Sequence, residues 1–476
     1  MKTTAQALRR AGRVPPLPFT VALADGRALT VRRLLRLLPG KRIVGEAEFD
    51  GRRVLAKLFI AGGSARHMQR ERDGLAALAA VDIPTPRLIH AGALAGDGHA
   101  LLTDYLADAE SLADEWAPYA QRPPGDAAAL ALLAPALAML GRLHAHGLVQ
   151  HDLHLGNFLR HRDELFVIDG DAVTAVRAGS PLTAAEATAN LSLLIAQLPT
   201  GWDAQLPALI AAYRAGNPSF DPDPGRLRAE VVHRRAARLE DYLGKALRDC
   251  TLFQVRRDFR RFTAVARAEA DALAPLVADP DRWLAAGTVL KDGGTCTVAR
   301  VDLDGRALVI KRYNLKHARH AMSRVWRPSR AWHSWLEGHR LRFIGVPTPA
   351  PLALIEARVG PLRGRAWLIT EHCPGPNLVE HLAPHVASGP PAAEAAALRG
   401  LFATLHRERI SHGDMKATNL LWQDGEVVVI DLDAMTRHRS AASHAHAWRR
   451  DRARLLRNWP AGSGLYHWLD DTLPPV

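Results

Sequence analysis

The chain is poor in cysteine, lysine and aromatic residues, and each shortage excludes something. Three cysteines in 476 residues, Cys250, Cys296 and Cys373, are too few and too scattered for a disulfide framework or a zinc site. Nothing around Cys296 points to an activated thiol. No stretch reaches the roughly 18 uninterrupted apolar residues of a membrane span. The nearest, Ala127 to Leu140, is short and carries Pro135, which predicts a buried helix. The first residues are charged but lack an apolar core segment, so no secretory signal is expected and the setting expected is cytoplasmic. Aromatics make up 6% of the chain and no basic stripe is interleaved with them, so no nucleic-acid partner is expected.

Basic charge is abundant. Eight lysines stand against 54 arginines, the formal net charge is +13, and the pI is near 10.2. Such a balance fits a basic solvated surface or an anionic partner, a phosphorylated sugar or an acidic lipid surface. With so few lysines, one set inside an apolar strand pattern calls for a reason. A length of 476 residues predicts two or three domains.

The main signal is internal repetition. The stretch "DIPTPRLI" from Asp82 returns as "GVPTPAPL" from Gly345, with Pro84 matching Pro347. "HDLHLGNFL" returns as "GDMKATNLL", with Asp152 matching Asp414 and Asn157 matching Asn419. "LFVIDGDAV" returns as "VVVIDLDAM", with Asp169 matching Asp431, and "RVLAKLF" around Lys57 returns as "ALVIKRY" around Lys311. The first three pairs are offset by 262 or 263 and the last by 254. One insertion in the basic run Arg312–Trp326 of the second copy reconciles them.

Each copy predicts the same elements. A hairpin comes first, turned at Asp50-Gly51 and at Asp304-Gly305. A helix follows and stops at the Pro-containing segment, then a strand, a long apolar helix, a polar loop and a short strand ending in Ile-Asp. The expected organisation is an N-terminal extension (1–34), a first domain (35–225), a helical linker (226–282), a second domain (283–440) and a C-terminal helical tail (441–476). Trp326, Trp332 and Trp335 are read as packing residues.

Phosphoryl transfer from ATP needs few parts. They are a strand lysine for the nucleotide phosphates, a helix glutamate to hold it, an aspartate near the acceptor hydroxyl, and an asparagine with a second aspartate for magnesium. Asp152–Asn157 and Asp414–Asn419 are each five apart, and Asp169 and Asp431 each lie 17 residues beyond their loop aspartate. Carboxylates and amides are the oxygen ligands that a hard cation requires.

On these motifs, "HDLHLGN…VIDGD" and "HGDMKATN…VIDLD", the strand lysines and the "PTP" turns, the chain resembles the protein-kinase-like superfamily. Within it, the chain resembles the bacterial lipopolysaccharide core kinases that phosphorylate heptose or Kdo. The resemblance covers roughly residues 35–215 and 283–440. It implies an α+β class with two tandem protein-kinase-like folds, each a small antiparallel-sheet lobe on a larger helical lobe. It implies ATP and Mg2+ as cofactors and an inner-core glycolipid as acceptor, met at the acidic cytoplasmic face of the inner membrane. Carried over by position, Lys57 and Lys311 would bind nucleotide phosphates and Glu71 would be the first helix partner. An ungapped match puts Ser334 opposite Glu71, and the nearest acid is Glu337. Asp152 and Asp414 would be the catalytic carboxylates, and Asn157, Asp169, Asn419 and Asp431 the magnesium ligands. Lys416, with His154 at its place in the first copy, would face the transferring phosphoryl group. Gly293 and Gly294 form the candidate phosphate lid of the second copy, and Leu38 to Gly45 a weaker one in the first. Alternatives are a bacterial Ser/Thr protein kinase, against which the absence of an activation-segment landmark counts, and a tandem in which one copy is a non-catalytic binding module.

Overall fold

A computed structural model describes residues 3–120, 122–177, 179–314 and 328–475. The chain forms two compact units, Met1–Ala236 and Ala237–Val476. Most of the basic insertion, with Trp326, lies outside the described residues.

In the first unit six antiparallel strands run in the spatial order Phe19–Ala22, Ala28–Leu38, Arg42–Phe49, Arg52–Phe59, His99–Asp104, Leu88–Ala93. The turn at Asp50-Gly51 has both central φ values positive, 48° and 69°, the geometry that a two-residue hairpin loop needs and that Asp and Gly tolerate. On Arg52–Phe59 the side chains alternate. Val54, Ala56 and Leu58 face one core, while Phe59 packs with Met68 and Leu75 of helix Ser64–Ala79, and Lys57 shares that second side. The second unit repeats the plan. Seven strands run in the order Phe253–Arg257, Arg261–Ala266, Pro351–Val359, Leu362–Glu371, Arg306–Tyr313, Cys296–Leu303, Thr288–Gly293. Asp304-Gly305 again turns a hairpin, with φ values of 52° and 80°. Each lysine strand therefore lies between the same two neighbours in its own sheet.

Below each sheet the chain is mainly helical. Helix Ala127–Ala145 is the one described helix long and apolar enough to cross a membrane. Ala129, Leu133, Ala136, Leu137 and Leu140 on it pack into the first unit's larger core beside Trp202 and Tyr213, the environment of a core helix. In the second unit helix Ala392–Arg407 has the same place in the chain.

Three regions differ from expectation. Residues 1–34 supply a helix, a strand and part of another. Ala5 and Leu8 of helix Ala5–Arg10 cover the outer face of the first sheet. Residues 226–282, expected as a helical linker, contain the hairpin Phe253–Arg257/Arg261–Ala266, which extends the second sheet, and Leu273 and Leu276, which cover its outer face. The cause is shared: a sheet whose cleft side carries polar residues still exposes an apolar back, which must be buried. Residues 441–476, expected as a tail, place Trp448, Leu455, Leu465 and Leu469 in the second unit's core. Trp332 and Trp335 pack in the core as expected.

Candidate active sites

In the first unit the sequence places Lys57 on a central strand, Glu71 on the helix packed beneath it, and Asp169 just beyond the strand Glu164–Val167. The fold brings all three together. Lys57 Nζ donates to Glu71 Oε1 at 2.5 Å and to Asp169 Oδ1 at 2.7 Å. Lys57 and Glu71 are both buried. Burial alone would lower the lysine pKa, but Glu71 and Asp169 outweigh it and raise it. Asp169 is likewise pushed up by burial and held below the usual carboxylate range by Lys57, with Arg42 and Arg36 adding to the pull.

Glu71 has a second task. Its oxygens accept from the backbone N–H of Gly170 at 3.1 Å and of Asp171 at 3.3 Å, tying the helix to the Asp-Gly-Asp turn. The approach is possible because Gly74 has no side chain, since a Cβ there would stand 1.8 Å from the Gly170 carbonyl oxygen. Asp169 itself adopts φ 67°, a left-handed conformation uncommon outside glycine, and Asp431 repeats it at 59°. The third acid, Asp171, is 3.0 Å from Arg42 Nη1 on the lid hairpin.

The loop of the first unit is held from within. Asn157 Nδ2 donates to the Asp152 carbonyl at 2.6 Å, and the Asn157 carbonyl accepts from Ile168 N–H at 2.9 Å. That leaves the amide oxygen of Asn157 as its cation-binding atom. Asp152 is exposed. His154 is half-buried beside Gly156, where a Cβ would stand 3.1 Å from His154 Nδ1.

The second unit matches the loop and changes the lysine site. Asn419 Nδ2 donates to the Asp414 carbonyl at 2.9 Å, and the Asn419 carbonyl accepts from Ile430 N–H at 3.0 Å. Lys311 Nζ contacts Asp431 Oδ1 at 2.6 Å and Asp433 Oδ1 at 2.9 Å. Burial pulls the lysine pKa down, and Tyr313 together with Asp433 and Asp431 more than restores it. Asp431 in turn is raised by burial and lowered further by Lys311, with Lys291 and His412 assisting. Glu337, expected as the helix partner, does not reach the lysine. It bonds Arg340 Nε at 3.0 Å, one turn along its own helix. Ser334 stands where the ungapped match put it, and bonds Asp433 instead.

Gly293 and Gly294 lie at the hairpin turn between Thr288–Gly293 and Cys296–Leu303. Beside it is a cavity of about 330 Å³, lined from the sheet by Cys296, Val298, Val309, Leu368 and Thr370 and from the loop side by Asn419, Leu421, Ile430 and Asp431. Lys291 and Lys311 also line it. An apolar slot that opens on lysines and carboxylates suits a flat heterocycle carrying phosphates.

Several residues of these sites were missed in the sequence. Asp451 takes the backbone N–H of His412 at 2.6 Å and of Gly413 at 3.0 Å, bracing the loop just before Asp414. Asn190 does this more weakly in the first unit, with Oδ1 at 3.4 Å from Gln150 N–H. The two are 261 positions apart, so the repeat offset could have paired them. Arg454 Nη1 stands 3.0 Å from Asp414 Oδ1 as an ion pair without hydrogen-bond alignment, and Lys416 Nζ is 3.2 Å from Asp414 Oδ2. Nothing in the motifs themselves marked Arg454.

A strand lysine, an Asp/Asn loop and a strand-end aspartate, set on a sheet lobe above a helical lobe, define the protein-kinase-like phosphotransferase class. The chain belongs to the lipopolysaccharide kinase (Kdo/WaaP) family, whose model matches residues 57–175 and 281–462, more than half of its length. No curated protein matches it. Among solved structures, "WaaP in complex with acyl carrier protein" is similar at 20% identity, covering 44% of this chain and 88% of that one, with a TM-score of 0.33.

Proposed function

We propose that this protein is an ATP- and magnesium-dependent kinase that phosphorylates a hydroxyl of a heptose or Kdo sugar in the lipopolysaccharide inner core. The observation that carries the reading is the lysine site, present twice. In each unit one lysine ammonium is held between the strand-end aspartate and a second carboxylate, next to a loop whose asparagine is turned by its own aspartate's carbonyl. Family membership supports the acceptor class.

The donor set fits magnesium. Asn157 with Asp169, and Asn419 with Asp431, each offer an amide oxygen and a carboxylate held low in pKa, the hard oxygen ligands that this ion prefers. Bound there, Mg2+ would neutralise charge on the nucleotide phosphates. The cluster Glu71, Asp169 and Asp171, whose ligand atoms lie within 4.8 Å of one another, already has the Lys57 ammonium on two of its members. Lys57 and Lys311 would turn from their aspartates to the phosphates, remaining charged because their polar neighbours outweigh burial around each. Asp152 and Asp414 would orient the acceptor hydroxyl and take its proton as the bond to phosphorus forms. Lys416 would stand beside the group in flight.

A net charge of +13 supports an anionic, lipid-anchored acceptor and peripheral contact with the acidic cytoplasmic face of the inner membrane. The same charge disfavours a polycationic substrate such as an aminoglycoside. The test is transfer from labelled ATP to lipopolysaccharide, to free core sugars and to generic proteins. Label on the glycolipid is expected, and label that reaches protein but never glycolipid refutes the acceptor.

A further inference from the structure

We propose that Asp433 is the positioning residue for Lys311, taking in the second unit the part that Glu71 takes in the first. The inference rests on the reading of these lysines as phosphate-binding groups.

Both lysines hold two carboxylates, and only the source of the second differs. Lys57 has Glu71, from the helix, at 2.5 Å, and Lys311 has Asp433, from the turn after the strand, at 2.9 Å. Four positions have changed together between the units. Ser334 replaces Glu71 on the helix, and its hydroxyl donates to Asp433 Oδ1 at 2.8 Å. Tyr313 replaces Phe59, two residues past each lysine on the same side of the strand, and its phenol donates to the same oxygen at 2.7 Å. Burial keeps that phenol protonated, so it remains a donor. Cys296 replaces Arg42, since Arg42 pairs in register with Phe59 and Cys296 with Tyr313. Arg42 is the cation that holds Asp171, the counterpart of Asp433, in the first unit. Without it, Asp433 turns to the lysine: its Oδ1 accepts from Tyr313 and Ser334 and forms an ion pair with Lys311 Nζ at 2.9 Å, while Arg330 Nη1 stands 4.0 Å from its other oxygen.

The spacing of the helix gives the reason. Gly170 meets Gly74 almost backbone to backbone, whereas the second unit has Leu432 in place of Gly170, and its side chain packs near Gly338. A leucine between helix and turn keeps the second helix further out, so a carboxylate on the turn serves the lysine where one on the helix serves it in the first unit. Glu337 is thereby left to Arg340. The consequence is functional. Displacing helix Ser64–Ala79 would strip Lys57 of its partner, while displacing helix Arg330–Phe343 would leave both carboxylates on Lys311.

The test is Mg-ATP affinity by titration calorimetry on the full chain in an Asp169→Asn background, which removes the first unit's nucleotide site from the measurement. Asp433→Asn, isosteric and still able to accept from Tyr313 and Ser334, is expected to weaken binding at least tenfold. Glu337→Gln is expected to stay within threefold. Asp433→Glu, which keeps a carboxylate on the turn, is expected to stay within threefold, a rescue by charge that a merely structural role for Asp433 would not give. Asp433→Asn within threefold of its background, or Glu337→Gln losing as much, overturns the inference while leaving the kinase reading standing. A background chain that binds no Mg-ATP, when the unmodified chain binds none either, overturns both.

Discussion

Replacing Gly74 by alanine should unseat the first lysine site from a distance, and the cost can be worked out. The new Cβ would lie 1.8 Å from the Gly170 carbonyl oxygen and 2.6 Å from its carbon, both backbone atoms that cannot rotate away. Relief to an ordinary contact requires helix Ser64–Ala79 and the Asp-Gly-Asp turn to part by about 1.5 Å, a small-to-large strain of about 1–3 kcal/mol. Parting takes the Glu71 oxygens from 3.1 and 3.3 Å out of reach of Gly170 N–H and Asp171 N–H, and hydrogen bonds to a charged group are worth about 1.5–3 kcal/mol each. Against this, alanine gains about 1 kcal/mol over glycine in a helix. The net is about 4 kcal/mol, or roughly a 10 °C lower midpoint for a domain of this size. Gly400→Ala is the control, a helical glycine with nothing within 4 Å of the added carbon, expected to hold or slightly raise the midpoint. Differential scanning calorimetry of the full chain reads both, with the lower midpoint confined to the first unit's transition if the two units melt separately. Gly74→Ala within about 2 °C of the unmodified chain would refute the close-packing argument.

Asp451→Ala should destabilise the second unit by about 2 kcal/mol or more, because the buried His412 N–H and the more open Gly413 N–H lose a charged acceptor. Asn190→Ala should cost the first unit less, and equal losses in thermal melts would contradict the difference in geometry. Acidification should also destabilise both units. Burial holds His144 down to about 4, against an Asn190 hydrogen bond that opposes it, and burial with Arg342 holds His339 down to about 3. Both folded values lie below the unfolded ~6.5, so the unfolded chain binds more protons as pH falls. Stability is full above pH 6.5, lost through the window down to 4 and 3, and already lower by about 2 kcal/mol per histidine at pH 5. Asp169 and Asp431, held low, contribute their loss only at more acid pH. A midpoint unchanged between pH 7 and pH 5 would contradict this.

The repeated motifs made the lysines, the loop aspartates and asparagines and the strand-end aspartates legible, because each rests on spacing along one stretch of chain. The structure sets Lys57 against Asp169 and Lys311 against Asp431, and bonds each loop asparagine to its own aspartate's carbonyl. Glu337 was misread because a helix partner depends on how far the helix sits from the strand, and that distance is set by Gly170 in one unit and Leu432 in the other. The second acid of each Asp-x-Asp was visible, but its partner, Arg42 or Lys311, is chosen only by tertiary packing. The back-covering segments were missed for the same reason. Ala5, Leu8, Leu273 and Leu276 carry no motif, and their role is defined by the apolar sheet face opposite them.

The central claim is that two loops, each with its own aspartate, transfer phosphate to a core sugar. Transfer from labelled ATP to lipopolysaccharide should be compared for the unmodified chain, Asp152→Asn, Asp414→Asn and the double variant. The account predicts that each single variant loses part of the incorporated label and that the double variant falls at least a thousandfold. Transfer by the double variant at the unmodified rate would contradict it.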